Sequence, residues 1–202
     1  MFKPGLIEGA SFPIRRPQID FDQGIDQHYL KNNAIISHCF GGLNLLFPSG
    51  EQFFVDSVRK FSSKIKDPNL IADVKIFCGQ ETQHKNLHSQ FIQQLEKQGY
   101  KLGNSMKRIK WYIDHVGGLL PDVIQLSTTV ACEHWTATMA HSAFKNKILD
   151  EGSLPVRQLI IWHAIEEMEH KNVAFDVFNT LYPKKYFFRL LGFIVSCVTI
   201  YM

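Results

Sequence analysis

At 202 residues, with 45% apolar and 12% aromatic side chains, the chain is long enough for one domain with a sizeable core, and it lacks the composition of a disordered or fibrous protein. Its formal net charge of +3 comes from scattered Lys and Arg without a basic stripe, so no nucleic-acid partner is indicated. Cys39, Cys78, Cys132 and Cys197 form no C-x-x-C pair, and the leading Met-Phe-Lys-Pro-Gly lacks the apolar stretch of a signal peptide; both favour reduced thiols and the cytoplasm.

Residues 1–26, with Pro4, Pro13, Pro17 and the pair Arg15-Arg16, show little periodicity and read as an irregular arm draped over the remainder. A short helix is expected over 27–46, broken by Phe47-Pro48-Ser49-Gly50. Ser49 then caps a helix whose apolar stripe runs Glu51, Phe54, Val58, Phe61 and Ile65. Asp67-Pro68 ends that helix and starts the next, Asp as N-cap and Pro in the first turn. The stripe of this second helix carries Val74, Phe77, Cys78, Glu81, His84, His88, Phe91, Ile92 and Leu95.

Fifty-two positions separate Glu81 from Glu133, against 30 from Glu51 to Glu81 and 34 from Glu133 to Glu167. The longer gap holds Gly99, Gly103, Gly117-Gly118 and Pro121 and is read as a long crossover. A third helix over 121–148 shows Leu126, Val130, Glu133, Ala137, Ala140 or His141, and Phe144 on one face. A fourth carries Val156, Ile160, His163, Glu167, His170, Ala174 and Val177 in unbroken steps of four and three, closed by Tyr182-Pro183. Four helices with a single crossover describe an all-α, ferritin-like four-helix bundle, with additional helices at both ends and the whole of 1–202 as one helical metal-binding domain. The last 17 residues, 186–202, are apolar apart from Arg189 and read as a truncated end. A membrane span takes roughly 20 apolar residues, so membrane association through 186–202 and a fifth buried helix both stay open.

One Glu from each of two helices and a Glu-x-x-His from each of the other two form the ligand set of carboxylate-bridged two-metal sites. A carboxylate or imidazole on an apolar stripe costs several kcal/mol unless it is paired or ligates a cation, and the stripes offer no Lys or Arg. Four Glu balance two divalent ions, and a set of oxygen and imidazole donors without thiolate suits iron, manganese or the two mixed better than a structural zinc site. The expected ligands are Glu51, Glu81, His84, Glu133, His163, Glu167 and His170, the four Glu being also the expected catalytic groups. His88 is divided between a ligand and a supporting or core role. Glu166, Glu169, His134 and His141 are placed off the site, Cys78 and Cys132 in the core, and Trp135 and Trp162 are candidates to line an apolar substrate pocket.

Phe47-Pro-x-Gly-Glu51, Glu81-x-x-His84-x-x-x-His88, Glu133-His134 and His163-x-x-x-Glu167-x-x-His170 resemble the bacterial family of predicted metal-dependent hydrolases, over most of the chain. Members of that family are longer, so the resemblance implies a partial sequence. The last element also resembles the di-iron arylamine N-oxygenases of the ferritin-like superfamily, whose extra histidine corresponds to His163. These resemblances imply a dinuclear centre, two Fe ions, that activates O2 with an external reductant and oxidises a small organic substrate. The alternatives are hydrolysis by a metal-bound hydroxide and a non-enzymatic role in iron storage or helical interaction; a homodimer is left open.

Overall fold

The computed structural model describes residues 9–200, and every regular element among them is helical. The longer helices in chain order are α1 Ala34–Asn44, α2 Phe47–Arg59, α3 Pro68–Lys97, α4 Gly103–Tyr112, α5 Asp122–Lys145, α6 Leu154–His170, α7 Val173–Leu181 and α8 Tyr186–Ile200. Asp67 caps α3 by accepting a hydrogen bond from Asn69 N, with Pro68 in the first turn where no amide partner is lost.

Side-chain pairs give the helix directions. Gln52 of α2 meets Lys85 of α3, while Phe47 stacks near His88, so these two helices are antiparallel. Lys60, just beyond α2, bonds Asp122 at the start of α5, and Ser57 bonds Thr129, so α2 and α5 are also antiparallel. Helices α3 and α5 therefore run the same way, and the chain between them crosses the bundle through α4 and a π-helical turn at Ile113–Gly117. The pairs His170–Gln80 and His163–His88 set α6 antiparallel to α3 and complete the four-helix bundle.

Two apolar clusters cap the bundle. One gathers Val58, Phe61, Phe77, Leu126, Val177 and Phe178; the other gathers Tyr29, Phe91, Leu95, Val156, Leu159 and Trp162. Between them lies a belt of buried Glu and His. The N-terminal arm spans both clusters, with Phe12 in the first and Phe21 in the second.

Several expected boundaries move. The helix placed at 27–46 is confined to α1, and 27–32 form turns, with Lys31 and Asn32 at positive φ. Phe47-Pro48-Ser49-Gly50 is the first turn of α2 and not a break, since Pro48 needs no amide partner there; Ser49 is not the cap, and Glu51 stands in the second turn. Helix α2 stops at Arg59, yet Phe61 and Ile65 still reach the core around a 3-10 turn at Ser62–Lys64. The third helix ends at Lys145, leaving Phe144 exposed. The fourth is not unbroken: it is interrupted at Lys171–Asn172, directly after His170, although Ala174 and Val177 keep the inward register.

Helix α8 lies along α5. Gly192 and Ser196 are its buried residues, and a Cβ at Gly192 would collide with the Ser127 backbone, so a residue without one is needed at this crossing. Its opposite face leaves Tyr186, Phe187, Ile194 and Val198 exposed, so of the fifth helix only the face toward α5 is buried among the described residues. Among the described residues no helix is long and apolar enough to cross a membrane.

Candidate metal centre

Helices α2, α3, α5 and α6 each bring one Glu inward at mid-bundle, Glu51, Glu81, Glu133 and Glu167, none more than 3% exposed. Among the described residues their ion-pair partners are histidines alone. Glu167 Oε1 lies at the middle, 2.8 Å from His163 Nε2, 3.5 Å from His170 Nε2 and 3.6 Å from His84 Nδ1. Glu81 Oε1 is 3.1 Å from His170 Nε2 and 3.6 Å from His84 Nδ1. Glu133 Oε2 approaches His170 Nε2 to 3.4 Å, and Glu51 Oε1 approaches His163 Nε2 to 3.9 Å. All seven side chains expected to meet from the sequence thus face one space.

Each of the three histidines is anchored through one nitrogen and offers the other. His84 Nε2 meets Glu166 Oε2 at 3.1 Å, so Nε2 carries the proton and Nδ1 is left with a lone pair toward Glu81 and Glu167. His170 Nδ1 donates to Gln80 Oε1 at 2.9 Å, which turns a bare Nε2 to the centre. His163 Nδ1 and His88 Nε2 are 2.5 Å apart, and His88 Nδ1 is 2.6 Å from Asn44 Oδ1. Asn44 spends its Nδ2 on Phe40 O, so its oxygen accepts from His88, His88 accepts from His163, and His163 Nε2 is the free acceptor. Glu51, His88 and His163 also offer atoms within 4.8 Å of one another, but both nitrogens of His88 are engaged, so its part is to hold His163.

The outer layer was missed in the sequence. Glu166, placed off the site by its spacing, is fully buried behind His84, and Glu169 shares Arg15 with it. Arg15 of the arm grips Glu169 with Nη1 and Nη2, both at 2.6 Å, and donates its backbone N–H to Glu166 Oε1 at 3.2 Å. Gln80 Nε2 donates to Glu169 Oε2 and to Pro13 O, and its oxygen holds His170. Two inward-facing histidines are thereby tied to a single arginine. The signal available in the sequence was the position of Glu166 three before Glu169 on the face adjoining the ligand stripe. His134 and His141 are exposed, as expected.

The oxygens of Glu51, Glu81 and Glu133, Glu167 Oε2, His84 Nδ1 and His170 Nε2 are all buried without a hydrogen-bond partner. So many orphaned carboxylate oxygens and imidazole nitrogens gathered in one place fit cations and not a polar protein core. Burial pushes the Glu51 and Glu133 carboxyls up, and takes Glu81 to about 8 against the pull of His170. Burial also acts to raise Glu167, but the neighbouring His170 and His163 outweigh it and hold that carboxyl well below its ordinary value. His88 and His163 are lowered by burial and by neighbouring histidines, so they stay neutral.

An apolar cavity of about 250 Å³ abuts Glu51, and a second of about 200 Å³ reaches His163 and Glu167; they share Leu43, Phe47, Thr136 and Met139. Trp135 and Cys132 line the first. Trp162 does not: its ring stands edge-on to His84 at 4.8 Å. Cys78 is core, as expected.

The family described as predicted metal-dependent hydrolase matches residues 13–202. No curated protein and no solved structure matches the chain. The likeness to arylamine N-oxygenases therefore rests on His163-x-x-x-Glu167-x-x-His170 alone.

Proposed function

The chain belongs to the family of predicted metal-dependent hydrolases, and from that premise we propose that it is an enzyme whose Glu51, Glu81, His84, Glu133, His163, Glu167 and His170 hold two divalent ions. The observation that supports this reading is the set of buried, unpartnered acceptors on those side chains. Bound ions supply Lewis acidity and a nucleophile drawn from water near neutral pH, which is hydrolytic chemistry. The four carboxylates balance the ions' charge, the histidines fix their directions through Glu166, Gln80 and His88, and the two apolar clusters exclude bulk water. Glu51, at the boundary between the ligand cluster and the larger cavity, is where an organic substrate meets the centre.

A second reading, O2 activation by two irons or manganese with an external reductant, is favoured by one observation. Glu166, a buried carboxylate beside the seven, is already committed to Arg15 and His84, so among the described residues no spare base faces the centre. Metal analysis of the purified chain, then turnover of an ester and phosphoester panel with Zn(II) or Mn(II) under anaerobic conditions, tests hydrolysis. Failure across the panel, with O2 uptake and a transient visible band after anaerobic Fe(II) loading, would replace it with the oxidative reading. Glu133→Ala and Glu167→Ala each abolish either activity together with metal retention; a variant keeping both removes that residue from the ligand set.

A further inference from the structure

Resting on that reading of the centre, we propose that the substrate carries a long unbranched aliphatic chain, seated in the cavity beside Glu51 with its reacting end toward that carboxylate. The cavity follows α5 along Thr128, Cys132, Trp135, Thr136 and Met139, a stripe about 16 Å long at the rise of a helix. The opposite walls come from Phe54 and Gly50 of α2, Val116 of the crossover and Val198 of α8. An elongated space of this kind accommodates a chain and leaves a compact ring poorly packed.

The polar residues of the wall present little polarity to it. Thr128 Oγ1 donates to Ile124 O, Thr136 Oγ1 to Glu133 O and Thr199 Oγ1 to Val195 O, so each hydroxyl is spent on its own helix. Among the described residues Glu51 is the one carboxylate in the lining. A ligand here meets methyl, methylene and aromatic groups along most of its length, the unpartnered Trp135 Nε1–H on one wall, and a charge at one place. Gly50 adds a further sign: it occupies a helical position, and a Cβ built on it finds nothing within 4 Å. No close packing requires a glycine there, and its missing side chain enlarges the chamber next to Glu51.

The test is calorimetric binding of straight-chain primary alcohols, hexanol to dodecanol, to the metal-loaded full chain, with phenol as the compact comparison. Affinity is expected to rise about fourfold per added methylene, with phenol below the longer alcohols. Gly50→Phe and, from the opposite wall, Val198→Trp should each weaken dodecanol at least tenfold while hexanol changes less. A series flat in chain length, a preference for phenol, or longest-chain binding untouched in both variants overturns the proposal. Metal content is measured on the same samples. Two ions with no chain-length dependence rejects the chain and keeps the centre, whereas chain-length dependence without metal keeps the chamber and rejects the centre.

Discussion

His84 Nε2 and Glu166 Oε2 stand 3.1 Å apart in the buried interior, and this contact decides which nitrogen of His84 looks toward Glu81 and Glu167. Removing the carboxylate frees the ring to change tautomer or rotate. Glu166→Ala should weaken metal binding by about 10- to 100-fold with the helical content retained. Competition against a chromophoric chelator reads the affinity, and circular dichroism reads the fold. Unaltered affinity in a folded variant would show that His84 is held without it.

His88 lies between Asn44 and His163, accepting from one imidazole and donating to one amide. Because burial and the adjacent histidines keep it neutral, it has the lone pair that His163 Nδ1 needs. His88→Phe fills the volume but leaves the His163 N–H without a partner, at a cost of about 1–3 kcal/mol. The ion bound through His163 should be lost first, so mass spectrometry should find metal falling toward one ion per chain. His88→Gln, which can still accept from His163 Nδ1 without offering an imidazole, should restore most of the lost metal if His88 is a holder; a loss as complete as in His88→Phe would make its imidazole a ligand.

Metal removal should have a pH signature. In the metal-free fold Glu81 is raised from 4.5 to about 8, and Glu51 and Glu133 are raised as well. A carboxyl raised by folding stabilises the fold while protonated, and that contribution disappears as pH climbs through its folded value. His88 and His163, lowered from 6.5, have the opposite effect, but above that pH they are neutral in both folded and unfolded chains. Glu167, lowered, is ionised in both. Between pH 6.5 and about 8 the metal-free fold should lose about 1.4 kcal/mol per pH unit for each carboxyl still protonated. Ion binding, which needs the carboxylates ionised, strengthens over the same range. Calorimetry should show the Tm gap between loaded and chelated protein widening from pH 6.5 to 8; a constant gap would contradict the buried, unpaired state of Glu81.

What the sequence disclosed follows from periodicity. Glu51, Glu81, Glu133 and Glu167 each interrupt an apolar stripe, and a step of three or four carries His84, His163 and His170 to the same face, so their inward direction was legible. The parallel run of α3 and α5 was legible from the long gap before Glu133. Arg15, Gln80 and Asn44 were not, because each acts through a side chain from another element and carries no periodic mark of its own. The interruption after His170 was hidden for a related reason: Ala174 and Val177 keep the inward register across it. Pro48 misled because a proline that breaks a helix interior is well tolerated in the first turn.

Gly192 gives a prediction of opposite sign to helix propensity. Alanine favours a helix by up to about 1 kcal/mol over glycine, yet its Cβ would meet the Ser127 backbone, which cannot rotate away. Overpacking of this kind costs about 1–3 kcal/mol. Gly192→Ala should therefore lower the denaturant midpoint and leave the slope unchanged. A stabilised variant would mean that α8 does not press on α5 this closely.

Arg15 reaches its two acidic partners across 151 and 154 residues of chain. Contacts so distant along a polypeptide close a very long loop, and that entropy cost favours their forming after the local ones. During synthesis the arm emerges well before α6, so His84 and His170 acquire their anchored orientations only when α6 has met the arm. Metal capture thereby marks the close of folding, and a chain halted before α6 would hold neither Glu167 nor the means to aim its imidazoles.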